Sequence, residues 1–172
     1  ENIAWKTNLP GHGTSTPIVW GDRIFLTSQL GDGPSAGGTD FDDARAAKSA
    51  GDRGQVTFLV ASYGRGDGGQ LWEKRFPSGG DLPGVHIKHN LASPSCVTDG
   101  ELVYAWFGSG LVIALDFEGN VVWQRNLAED RSSFDVRWGH GSSPALHEDS
   151  LLLLVDHPGD SYLLAVNKQT GE

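Results

Sequence analysis

Methionine is missing from all 172 residues, position 1 included, and cysteine appears once. A chain that opens on Glu1 without a basic-then-apolar leader does not read as a freshly translated N-terminus, so a segment of something longer is expected. One cysteine excludes any intrachain disulfide. Cys96, in the apolar run Ser95-Cys96-Val97, reads as a small core residue rather than a reactive thiol. Long apolar runs are missing too: the densest, Leu151 to Val155, is strand-sized, far short of the roughly 20 residues of a membrane helix. Positive charge is scarce, 13 Lys and Arg against 22 Asp and Glu. The average surface therefore repels a phosphate backbone, which argues against nucleic acid as a partner. What remains, 38% hydrophobic and 20% charged residues of mixed sign, suffices for an ordinary folded core.

Helical periodicity is nearly missing as well. The exception is Phe41 to Lys48, where Thr39 or Asp40 could cap a short helix. In its place the chain repeats itself. One skeleton recurs three times: a small-residue and proline start, an apolar run, a turn with Gly or Asp, two alternating apolar strands, and a closing tryptophan strand. The first copy holds Ser15-Thr16-Pro17-Ile18-Val19-Trp20, Arg23 to Thr27, Phe58 to Tyr63 and Gln70-Leu71-Trp72. Ala92-Ser93-Pro94, Leu102 to Trp106, Leu111 to Asp116 and Val122-Trp123 form the second. Ser142-Ser143-Pro144, Leu151 to Val155, Tyr162 to Asn167 and Thr170-Gly171 form the third, which stops before its tryptophan. Four short strands per copy with turn residues between them are the pattern of a four-stranded antiparallel unit, and residues 31–55 are an insertion in the first.

Within these copies, Leu115-Asp116-Phe117-Glu118-Gly119-Asn120-Val121-Val122-Trp123 resembles the tryptophan-docking motif of the PQQ-like, quinoprotein-type β-propeller repeat family, and Ala165-Val166-Asn167-Lys168-Gln169-Thr170-Gly171 resembles the same motif without its Trp. The resemblance implies an all-β partial propeller of about three blades: an outer Trp strand in 1–10, one blade in 11–76 carrying the insertion, a second in 77–127, and a third in 128–172 lacking its last strand. A Trp on an outer strand buries its ring between neighbouring blades, which at ~25 cal/mol per Å² over roughly 200 Å² stabilises by several kcal/mol. Trp5, Trp72 and Trp123 are read as these docking residues; Trp20, Trp106 and Trp138 have no assigned place.

Three histidines stand in comparable places: His12 and His89 each precede a proline by five residues, and His140 precedes Pro144 by four. In propellers such approaches gather near the mouth of the central channel, so the three are the candidate ligand-binding residues, against the alternative that each only fixes its own loop. An imidazole can ligate a metal or carry a proton near neutral pH. The acidic cluster Asp40-Phe41-Asp42-Asp43 lacks the spacing of a calcium loop and fits a helix start better. Gly64 to Gly69 lies between two strands and reads as a hairpin turn, not a phosphate cradle. No catalytic set is assigned, and no metal.

Enzymes of the family hold PQQ with calcium and acidic side chains, several stacking it on an adjacent-cysteine disulfide that a lone Cys96 cannot form. No residue here matches their calcium ligands or catalytic acid. The expectation is therefore a non-catalytic binding or scaffold module of a larger secreted, periplasmic or envelope protein, without cofactor and with a protein, small-molecule or glycan partner. A PQQ-dependent alcohol or sugar dehydrogenase and a sensor or carbohydrate-binding propeller are the alternatives. Three blades do not close a ring, so the segment by itself is expected to self-associate through its open edges.

Overall fold

The run Leu102-Val103-Tyr104-Ala105-Trp106 is apolar at every position, which a strand tolerates when both of its faces are covered. In the computed structural model, which describes residues 2–31, 35–36, 56–79, 82–83, 85–86, 89–131, 134, 136, 139–157 and 160–172, this run is the middle of the middle sheet. Three antiparallel sheets follow one another. The first comprises β1 (Ile18–Trp20), β2 (Arg23–Leu30), β4 (Thr57–Gly64) and β5 (Gln70–Pro77) in that order. β7 (Val97–Thr98), β8 (Leu102–Trp106), β9 (Leu111–Asp116) and β10 (Val121–Asn126) make the second. The third has three strands, β11 (Ala145–His147), β12 (Ser150–Val155) and β13 (Tyr162–Asn167). A two-residue parallel pair, β3 (Ser35–Ala36) with β6 (Val85–His86), ties the insertion to the connection between the first two sheets. The helix expected at 41–48, the cluster Asp40–Asp43 and Trp138 lie outside the described residues.

Burial follows this stacking. Val103, Ala105 and Phe107 point one way and meet Phe25, Phe58 and Val60 of the first sheet, with Phe58 and Phe107 stacked at 4.2 Å. Their neighbours Leu102, Tyr104 and Trp106 point the other way and meet Leu151, Leu153 and Val155 of the third. The period-2 alternation of a strand thus serves two cores at once. From Leu151 to Val155 β12 is as uniformly apolar as β8, yet Leu154, and Leu163 across from it on β13, stand 47% and 67% exposed, because no described sheet covers that face. Residues 2–9 form no strand; they run beside the first sheet, where Thr7 donates to the Gly68 carbonyl (2.6 Å) and His12 pairs with Gln29.

The turns joining first and second strands place Gly21, Gly100 and Glu148 at equivalent positions, all with positive φ: 56°, 93° and 49°. Only Glu148 carries a Cβ there, at a cost of about 1 kcal/mol. Glu148→Gly is expected to raise the thermal midpoint by a few degrees. An unchanged or lower midpoint would show that the turn is not strained.

Candidate functional site

Antiparallel connectivity sorts the loops onto two rims. One rim gathers the tight turns: Arg65 N–H donates to the Asp22 carbonyl and Lys168 N–H to that of Asp149. At the other rim lie the approaches to each first strand, the end of β2, the Phe107–Gly110 turn and the end of β12; here Gly108 N–H donates to the Leu91 carbonyl and Leu127 N–H to that of Gly110. A short helix, Leu127–Asp130, capped by the Asn126 side chain, leads out of β10 on this rim.

On the turn rim, the tryptophans repeat one arrangement. Trp5, Trp72 and Trp123 donate their indole N–H to the carbonyls of Arg65 (2.9 Å), Phe117 (2.7 Å) and Lys168 (2.8 Å). Each ring lies on a left-handed glycine, Gly68, Gly119 or Gly171, where a Cβ would stand under 3 Å from the ring. β-bulges beside Trp72 and Trp123 turn both side chains out of their own sheet toward the next. Polar links run in parallel: Arg23 reaches the Phe117 carbonyl, and Lys168 meets Asp99 at 3.0 Å. Burial works against ionisation of Asp99, but the Leu102 and Glu101 amides and Lys168 hold its carboxyl below the usual range. Trp20 lies half-exposed on Gly100, while Trp106 is fully buried with its indole N–H unpartnered.

The candidate histidines sit on the connection rim, but not at equivalent positions. Counted back from the strand each precedes, β1, β7 and β11, they stand six, eight and five residues away, because Pro94 lies further from β7 than Pro17 and Pro144 lie from theirs. The equivalence lies elsewhere, in Thr16, Ser95 and Ser143, two residues before each strand: Thr16 N–H donates to Ser95 Oγ (2.7 Å) and Ser95 N–H to Ser143 Oγ (2.9 Å). His12 is exposed, with its backbone bonded to Gln29. His89 and His140 come together: His89 Nε2 is 3.3 Å from the His140 carbonyl and Nδ1 is 2.9 Å from Ser93 Oγ. The His140 ring is 4% exposed, 4.2 Å from Trp106 and edge-on to Phe134 at 5.3 Å, with Nε2 unpartnered. Burial first, then the nearby His89 and His157, push its imidazole down to about 4 against the pull of a Ser142 backbone hydrogen bond. His157 was not singled out from the sequence, because it lies between β12 and β13 and not in the approach to a first strand. Among the described residues no three His, Cys, Asp or Glu side chains are grouped to hold a metal ion.

Successive antiparallel sheets of four, four and three strands packed face to face, the first two docked by a tryptophan on the next sheet's turn, define a partial β-propeller. The chain belongs to the family described as outer membrane protein assembly factor BamB, whose model matches residues 2–172. BamB from Moraxella catarrhalis shares the fold with a TM-score of 0.55 at 14% identity over 98% of this chain and 41% of that one. Quinohemoprotein alcohol dehydrogenase from Comamonas testosteroni aligns with a TM-score of 0.47 at 16% identity, over 69% of this chain and 18% of that one. The chain thus spans less than half of either structure. No curated protein sequence matches it.

Proposed function

We propose that the chain is a non-catalytic binding or scaffold segment of a larger envelope protein, with the connection rim as its contact face. The supporting observation is where the repeat's shared residues go: the tryptophans, the glycines beneath them, and Thr16, Ser95 and Ser143 before the first strands are all engaged in blade-to-blade contact. The family description, an outer membrane assembly factor, points to protein partners and to the envelope. No helix among the described residues is long and apolar enough to cross a membrane.

A quinone with calcium fits these residues poorly. Cys96 is buried between the first two sheets with its thiol pushed up to about 12 by burial, and the described carboxylates form no ligand set. The test takes the full-length protein with PQQ and calcium and follows dye-linked oxidation of alcohols and sugars. No turnover is expected, and turnover would overturn the reading. In a second arm, a photo-crosslinking residue at Gly141 on the connection rim is expected to give discrete protein adducts in envelope preparations, and one at Asp67 on the turn rim none. Adducts from Asp67 alone would move the contact face, and retention of glycans in place of proteins would favour a carbohydrate-binding propeller.

A further inference from the structure

His140 packs on Trp106, and histidines from two other connections, His89 and His157, lie near enough to act on its charge. His140 belongs to the approach to β11, His89 to the approach to β7, and His157 to the loop after β12. His140 is the buried member. Its ring packs on Trp106 of β8 and on Phe134, both uncharged. His89 holds the His140 carbonyl while its other ring nitrogen meets Ser93. Asp156, the carboxylate beside His157, accepts from Ser161 Oγ at 2.8 Å. An imidazolium at position 140 would thus be enclosed by aromatic rings, with His89 and His157 acting against its charge and no carboxylate among the described residues bonded to it.

We propose that residues 139–144 are a proton-operated latch: neutral His140 clamps this connection onto Trp106 and the Phe107–Gly110 turn, and proton uptake by His140 beside His89 and His157 releases it. Burial in the closed form denies water to a charged ring, whereas the opened form lets the imidazolium be hydrated. The sign follows from the shift. A folded-state value of about 4, below the ordinary 6.5, means that the open form binds more protons between the two. Closure is therefore complete above pH 6.5 and is lost as pH falls toward about 4.

Hydrogen exchange of the full chain at pH 7 and pH 4.5, corrected for intrinsic exchange rates, tests this. The amides of Gly108, Gly110, Leu127 and Gly139, all hydrogen-bonded around the clamp, are expected to open more often at pH 4.5 by roughly 50-fold. Those of β4 and β5 should not change. His140→Phe, which keeps an aromatic ring but no titrating nitrogen, should abolish the rise. His89→Gln should shrink it by removing one repulsive neighbour. The proposal is overturned if no rise occurs, if the rise spreads evenly over all three sheets, or if it survives in His140→Phe. Should His140→Phe not fold, an undiminished rise in His89→Gln is sufficient to reject it.

Discussion

Replacing Trp123 by alanine is expected to lower the unfolding free energy by about 3–5 kcal/mol, the largest loss of any tryptophan on the turn rim. Its ring is 9% exposed, lies on Gly171 and leans on Tyr104 at 6.3 Å. Truncation removes that buried area and leaves a cavity between the second and third sheets. It also deprives the Lys168 carbonyl of its indole donor. Trp20 provides an internal control: it lies on a glycine too, but 49% of it is exposed and no described sheet closes over it, so Trp20→Ala should lose less than half as much. Urea unfolding at a constant m-value measures both. Equal losses for the two variants would show that the sheet-to-sheet position of Trp123 contributes nothing beyond its size.

Gly119→Ala is expected to cost about 2–4 kcal/mol, from two independent causes. The residue has φ of 83°, where a side chain is strained, and the added Cβ would stand 2.9 Å from both the Trp72 ring and Lys74 Cε. Lys74 can swing away. Trp72 cannot without giving up its hydrogen bond to the Phe117 carbonyl. Gly66, in the turn beneath Trp5, has open space where a Cβ would stand, with nothing within 4 Å, so Gly66→Ala should change stability by no more than about 0.5 kcal/mol. Thermal denaturation of the two alanine variants separates close contact from a general intolerance of turn substitutions. If Gly119→Ala behaves like Gly66→Ala, the docking geometry assigned to Trp72 is wrong.

Strand order was legible because every strand announces itself by local means. Asp-Gly at 99–100 and Gly119 mark turns, and the alternations on either side give the strand lengths. Trp72 and Trp123 were legible because each closes a repeated unit at a constant offset from a Gly turn. The histidine site was legible only in part. Counting from prolines groups His12 with His89 and His140, but a proline can sit two residues further from one strand than from another without changing the strand. The hydrogen bonds from the Thr16 and Ser95 amides to the Ser95 and Ser143 hydroxyls reveal the true equivalence.

By itself the amino-acid sequence determined that the chain is β, repeated, acidic and unable to form a disulfide, since each of these depends on residue type and on spacing along one copy. The tertiary structure alone decided which apolar positions are buried, and which histidine meets which. Leu151 to Val155 reads as one apolar run, yet Leu153 is buried and Leu154 is half-exposed, because burial depends on whether another sheet stacks on a given face. His89 and His140 are 51 residues apart and are brought together by the packing of one blade against the next, a contact that no local pattern encodes.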